Sequence, residues 1–571
     1  MKMKKIVFAI LLTFLLLGLA GILYLKSYFT QERIKALFLP ALENKLHGKI
    51  SIDNFGFSFI RGIELSGINV QMEGKKGVSS FQCEQALLRP RLFPLIFGQL
   101  VVSEIRLMRP QFFILGGAES IAAFPAGLLK RESGGEREEK KSKERETTSI
   151  VVEGLKIEKG DILLINPEGS GFLPPLLQLE AIDFAASNLS LSSSIPFSFS
   201  GKFKGIESDP LRIRGLISPR EKSGEMNIAW EKLQVKSLNK ALRATHPFLT
   251  QGEVDLELRL NIKEASPLVS EGRIKVAGAR LARSEPAGKK GRGNNDDVDA
   301  EAIYHLTVNP GKGVEGKIEK ARLVYRNLEM KEVESTFSWQ EKTLNLTQVK
   351  ANVGKGLIQG QGTITFDKEA RHFSIDLKGD RIPIDRLLVL SKSDPKRNIT
   401  GILAGDCRFA GMWEKKELSK EDLQGDGEIR LQEGKISGVK SLEKASALLG
   451  YEGLSPLTVS EGKMGFRLEE GKVKTEGWLK SPDLEVSYKG NVKLDSSLNL
   501  HMEIMCSPRI FANFKGSGMT DLLKDEQGRV IIPLKLKGTW NEPSVSLDTS
   551  EFKKMIKDKF QQFYEGFREG K

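Results

Sequence analysis

The stretch GEVDLELRLNIK, residues 252–263, alternates apolar and polar residues without a break. Val254, Leu256, Leu258, Leu260 and Ile262 are interleaved with Glu253, Asp255, Glu257, Arg259, Asn261 and Lys263. A helix would scatter these apolar residues around its axis, whereas a strand puts them all on one side. The same period of two returns in GTITF and HFSIDL, through Ile364, Phe366, Phe373, Ile375 and Leu377. DLEVSYK repeats it with Leu484, Val486 and Tyr488, and LNLHMEI with Leu498, Leu500, Met502 and Ile504. Strands with one greasy and one wet face belong to antiparallel sheets. The chain is therefore expected to be mostly β.

Short glycine-marked segments punctuate the pattern: EKGD, QEGK, EEGK and YKGN. Their spacing suits hairpins rather than helical crossovers. LKIEKGDILL, IKVAGARLAR and IRLQEGKISG each read as a hairpin and suggest a degenerate meander repeat. Helices are few. LNKALRATHPFLTQGEVDLEL and IDRLLVLSKSDPKRNITGILAGDCRF each read as a short helix, a glycine and a strand. SLEKASALLG gives a further helix, and TQERIKALFLPALENKLHGK an amphipathic one between Thr30 and Gly48. In the tail, Phe552, Met555, Ile556, Phe560, Phe563 and Phe567 form a helical stripe, with Lys553, Lys554, Lys557 and Lys559 mostly off it. That stripe suits a plug over the end of a sheet, or contact with a membrane. Residues 131–149 contain no hydrophobic residue and cannot support a core. SEPAGKKGRGNNDDVD reads as a second solvated loop.

Residues 6–25, IVFAILLTFLLLGLAGILYL, carry no charge and follow Lys2, Lys4 and Lys5. A helix of that length spans roughly 30 Å, the thickness of a bilayer core. No small-x-small cleavage site follows, so the segment reads as a retained signal-anchor with its short N-terminus in the cytoplasm. RLFPLIFGQLVVSEIRLMRPQFFI, residues 91–114, is apolar from Leu92 to Val102 but interrupted by Pro94, Gly98 and Gln99. It is too short to span and reads as an apolar turn feeding a strand, with Pro110 ending the run.

The remaining composition excludes more than it suggests. The net charge of +13 is spread along the chain and mixed with acids, as on a solvated surface, so no nucleic-acid partner is expected. Mild attraction to anionic lipid head groups fits that charge. The three cysteines, Cys83, Cys407 and Cys506, match no metal or redox spacing, and the five histidines form no HExxH. GKGVEG, residues 311–316, fits GxGxxG, but a β-type alternation follows it where a phosphate-binding helix should start. Asp296, Asp297, Asp299 and Glu301 lack EF-hand spacing and read as a solvated loop. No catalytic residue, metal or cofactor is expected, and the chain does not read as an enzyme.

Taken in order, these pieces resemble the AsmA family of Gram-negative envelope proteins. The resemblance rests on the lysine-flanked anchor, on NKLHGKISIDNFGFSFIRGIELSGINV, and on an apolar turn and strand in which Pro94, Leu95, Gly98, Leu107 and Pro110 fill the family pattern. Near the C-terminus it rests on GDGEIRLQEGKISG, the helix at Ser441, and IIPLKLKGTWNEPSVSLD with Pro533, Gly538, Pro543 and Asp548. Together these cover about half of the chain, and the middle is similar only in texture. The resemblance implies an N-terminal transmembrane helix, then a long twisted antiparallel sheet folded into an elongated apolar groove with a few short capping helices. It places such proteins in the bridge-like lipid-transfer superfamily, anchored in the inner membrane. They carry phospholipid across the periplasm or aid outer-membrane assembly.

The expected organisation is an anchor over 1–29, an AsmA-like N-terminal β module over 30–130 and a charged linker over 131–149. A central β region over 150–420, an AsmA-like C-terminal β domain over 421–550 and a terminal amphipathic helix over 551–571 follow. The expected lipid-facing residues are Val254, Leu256, Leu258, Leu260, Ile262, Ile364, Phe366, Phe373, Ile375, Leu377, Leu484, Val486 and Tyr488. The expected partners are phospholipid, the inner membrane through residues 6–25, and an outer-membrane or periplasmic protein. A closed β-sandwich also needs one apolar face per sheet, so the alternation alone serves a lipid groove and a dry-cored scaffold equally.

Overall fold

A computed structural model describes Glu32 and residues 48–58, 62–74, 77–91, 101–115, 151–165, 176–189, 192–241, 249–264, 267–281, 297–309, 313–367, 370–388, 398–414, 417–418, 420–507, 510, 523–525 and 527–568. The expected signal-anchor of residues 6–25, the expected amphipathic helix of residues 30–48 apart from Glu32 and Gly48, and the expected 131–149 linker lie outside them. Among the described residues no helix is long and apolar enough to cross a membrane. The chain forms two compact units, residues 1–247 with 253–266, and residues 248–252 with 267–571.

The first unit is a sheet of β1 (Gly48–Ser58), β2 (Gly62–Gly74), β3 (Gly77–Pro90), β4 (Val101–Leu115), β5 (Val151–Val152), β6 (Gly154–Ile165), β7 (Leu176–Ser187), β8 (Ile195–Phe203), β9 (Leu211–Ser218), β10 (Ser223–Gln234) and most of β11 (Leu249–Lys263). Helix α1 (Val235–Ala241) follows β10. Neighbours in sequence pair antiparallel, with one departure from expectation: β4 pairs parallel with β5 and β6. Residues 116–150 separate these strands, ample for the return that a parallel pair requires.

The second unit is an antiparallel meander that begins with β12 (Leu268–Leu281), β13 (Asp297–Asn309), β14 (Gly313–Tyr325), β15 (Leu328–Gln340), β16 (Thr343–Val353), β17 (Gly356–Phe366), β18 (Ala370–Pro383) and β19 (Asn398–Glu414). After the two-residue β20 (Glu417–Leu418) come β21 (Gln424–Ser437), β22 (Leu457–Glu469), β23 (Lys472–Lys480), β24 (Leu484–Lys493), β25 (Ser497–Cys506), β26 (Val530–Thr539) and β27 (Pro543–Leu547). Helices α2 (Ile384–Leu388), α3 (Lys440–Leu449) and α4 (Thr549–Arg568) form where the sequence predicts short helices.

Most expected hairpins turn out to be kinks. EKGD lies inside β6, QEGK inside β21 and YKGN inside β24; of the four, only EEGK is a turn, between β22 and β23. LKIEKGDILL, IKVAGARLAR as far as Leu281 and IRLQEGKISG as far as Ser437 each lie in one long strand with a left-handed residue in its middle: Lys159 (φ 53°), Gly278 (φ 56°) and Glu433 (φ 50°). Bulges and tight hairpins draw on the same left-handed residues, so a sequence does not tell them apart. The repeat is real, but its unit is a bulged strand of 12–14 residues.

Such kinks recur in strand after strand. Left-handed residues interrupt β4 at Arg109, β7 at Ala181, β10 at Lys232, β14 at Lys320, β15 at Glu332, β16 at Gln348 and β18 at Arg381. Pro110 therefore does not end a run: it sits buried within β4, next to the Arg109 kink, opposite Cys83. A bulge is where a sheet interior accepts a residue that lacks an N–H. At four of these kinks the freed backbone N–H is accepted by an aspartate on a neighbouring strand. Asp183 takes Lys159 N–H at 3.1 Å, Asp161 takes Ala181 N–H at 3.3 Å, Asp255 takes Lys232 N–H at 2.8 Å, and Asp299 takes Gly278 N–H at 2.6 Å. The expected solvated loop around Asp297, Asp299 and Glu301 is thus the start of β13.

Candidate functional site

The register of the second unit aligns inward residues into rows that cross many strands. One row runs Leu306–Gly316–Phe337–Leu346–Gly362–Ile375–Phe409–Gly425–Leu468 from β13 to β22. A parallel row runs Val308–Val314–Trp339–Leu344–Ile364–Phe373–Gly411. Neither row contains a charged or hydrogen-bonding side chain apart from the indole N–H of Trp339. The glycines are not turns. Phe337 lies across Gly316, so that a Cβ there would come within 2.3 Å of the ring, and Phe409 lies in the same way across Gly425, at 2.6 Å. Aromatic rings folded flat over glycines shield the backbone and leave a smooth apolar floor.

This floor is only partly covered. From β12 to β21 most inward apolar side chains are half-buried rather than buried, and Trp339 and Leu377 are each 36% exposed. Full burial in this stretch is reached at Ala279, Ala321, Ala351 and Leu431, and in a small core cluster of Leu328, Val353 and Ile382. Trp339 and Phe366 pack their rings at 5.0 Å, and Arg371 closes the margin over Phe366 at 5.6 Å. Burial pushes the Cys407 thiol up, as an apolar surround should.

The opposite face is wet and charged. Arg322 pairs with Glu329 at 2.8 Å, Arg408 with Asp376 at 2.7 Å, Lys463 with Glu428 at 2.7 Å, and Arg273 with Glu301. Hydrogen bonds from Gln361 and Arg408 hold the Asp376 carboxyl below the usual range. These exposed pairs add little stability. What they do is fix which side of the sheet meets water.

Toward the C-terminus the same inward face closes. Leu457, Val459, Leu484, Val486, Met502, Ile504, Ile532 and Leu534 form a dry core, covered by Leu442, Ala445 and Leu449 of α3 and by Leu454. Lys444 Nζ ties α3 to Pro543 O at 2.6 Å. The cavity left there, lined by Leu449, Tyr451, Leu454 and Ile510 among others, measures about 20 Å³, room for one water and not for an acyl chain.

The expected lipid-facing residues therefore divide. Val254, Leu256, Leu258 and Leu260 share one half-buried face of β11, and Glu257, Arg259 and Asn261 are exposed. Ile364, Phe366, Phe373, Ile375 and Leu377 lie together on the open face across β17 and β18. Leu484 and Val486 lie in the closed core, at 5% and 1% exposure, with Tyr488 packed against it. Sequence reasoning missed Leu306, Phe337, Leu344, Leu346 and Phe409, because bulges shift the period of two and glycines interrupt it. A readable signal was present in GLIQGQGTITF, where Gly356, Gly360, Gly362, Ile364 and Phe366 keep the same parity.

Among the described residues no group of His, Cys, Asp or Glu side chains could hold a metal ion. No protein-family model matches the chain. No curated protein matches it significantly.

Proposed function

We propose that the chain holds lipid acyl chains on the open apolar face of its β12–β21 strands and takes part in moving phospholipid between membranes. One observation carries this reading: from β13 to β21 two cross-strand rows of apolar side chains stay only half-buried, while charged side chains stand on the other face. Exposing a two-chain lipid to water costs about 0.8 kcal/mol per CH₂, on the order of 20 kcal/mol in all. Only a long, charge-free surface offsets that. The resemblance to the AsmA family supports an inner-membrane anchor at residues 6–25 and outer-membrane biogenesis as the process served.

The closed core around Leu457 and Leu534 favours a second role for the C-terminal part, as a scaffold or assembly factor that presents its surface to a protein. Photo-crosslinking in cells separates the two for the central strands. A photoreactive phenylalanine analogue at Phe366, Phe373 or Ile375 should yield phospholipid adducts, and one at Thr365 or Ser374 should not. Equal yields from both faces, or adducts only to protein, would refute the lipid reading.

A further inference from the structure

Helix α4 does not bury the single stripe that its sequence suggests. Phe552 and Met555 pack on the C-terminal core, and Ile556 and Lys559 lie half-buried on the same side. Lys559 Nζ also donates to Lys524 O. Phe560, expected on that stripe, is 60% exposed, and Tyr564 is 71% exposed. The side chains of Phe563 and Phe567 lie outside the described residues.

At 100° per residue the helix has two unlike flanks. Lys553, Phe560, Tyr564 and Lys557 fall within one narrow sector beside the buried face. Glu551, Asp558 and Glu565, spaced by seven, fall together on the opposite flank. Two of these acids are engaged: Glu551 meets Lys554 at 3.8 Å, and Glu565 accepts from Gln561 at 3.2 Å. Cations and large aromatics thus share one exposed surface from which carboxylates are segregated.

We propose that this flank of α4 docks on a membrane surface bearing anionic phospholipid. Aromatic rings with one apolar and one polar end seat at the interface, and lysines beside them meet phosphate and anionic head groups. A protein groove would take the aromatics equally well, but it would not need every acid moved to the far side. The buried face already anchors the helix, so docking requires no unfolding. This inference stands apart from lipid binding on the central strands.

The test uses the full chain held in a phosphatidylcholine nanodisc, with an environment-sensitive fluorophore at position 564 through Tyr564→Cys in a background lacking Cys407. Added vesicles contain phosphatidylcholine alone or mixed with phosphatidylglycerol. The expected result is nanodisc–vesicle association and a blue shift with the anionic vesicles only. Lys553→Gln with Lys557→Gln should weaken that association about thirty-fold, the factor carried by about 2 kcal/mol for two lysines. Phe560→Ser, read by vesicle association with an unchanged melting curve, should weaken it as well. Equal binding to both vesicle types, or association that leaves the fluorophore in water, overturns the proposal. Failure to bind either vesicle also ends it, and would point to a protein on this flank.

Discussion

At the scale of single residues, the aspartates matter most where they look least special. Asp255 and Glu257 both stand among the polar residues of β11, yet only Asp255 accepts the N–H freed by the Lys232 kink. Asp255→Ala should lower stability by about 1–2 kcal/mol, because a backbone donor loses its partner. Glu257→Ala should stay within about 0.5 kcal/mol. Urea unfolding midpoints of the two variants check this, and equal shifts would reject the role given to Asp255. Asp548 is the sharper case. Only 3% exposed, it caps α4 through Ser550 and the Glu551 N–H, and it meets His501 Nδ1 at 2.7 Å. Hydrogen bonds, first from Ser550 and then from His501 and Glu551 N–H, lower its carboxyl to about 2. The unfolded chain binds that proton near pH 3.9, so the stabilisation is whole above about pH 5 and is lost as pH falls toward 2. Hydrogen exchange across residues 549–556 should accelerate over that window in the wild type. In Asp548→Asn it should already be fast at neutral pH and change little.

At the scale of elements, the contrast lies between strands whose inner face is open and strands whose inner face is covered. Leu346 on β16 is half-buried, whereas Leu454, in the turn under α3, is fully buried. Leu454→Ala should cost about 2–5 kcal/mol, since it empties a packed site. Leu346→Ala should cost less than about 1.5 kcal/mol, because much of that side chain already meets solvent. Denaturation of each variant decides the matter, and equal costs would mean that the central face is as dry as the core. Many strands, the inward residues of the unbroken ones such as β17, and the helices were legible from the alternation and from Gly450, whose left-handed conformation ends α3. The bulges were not. Lys159, Gly278 and Glu433 carry the turn chemistry of a hairpin, and only pairing with neighbouring strands decides that the chain runs straight on. The parallel β4–β6 pair was illegible for a related reason: period-two alternation describes a face and is silent on strand direction. Nor does alternation reveal what covers a face, so Leu484 and Leu258 looked alike although one is in a closed core and the other is not.

At the scale of the whole molecule, the continuity of the apolar rows separates a conduit from a set of independent binding patches. In the row from Leu306 to Leu468, Ile375 stands near the middle, flanked by Gly362 and Phe409. Lipid that travels along the row must pass Ile375, while lipid held in separate patches need not. An arginine at this site costs several kcal/mol if an acyl chain must slide over it with its charge unpaired. The position is half-buried, so the long side chain can reach toward water and the strand keeps its register. Ile375→Arg should therefore leave a folded protein that still gives lipid adducts from photoreactive residues at Leu344 and Phe409, on either side of the block. Transport should nonetheless fall to the level of the chain-deleted cell, measured as arrival of pulse-labelled phospholipid in the outer membrane. Ser374→Arg, one residue away on the wet face, is the matched control and should transport normally. Transport that survives Ile375→Arg would show that lipid does not pass along this row, and the open face would then be a site of capture and not a path.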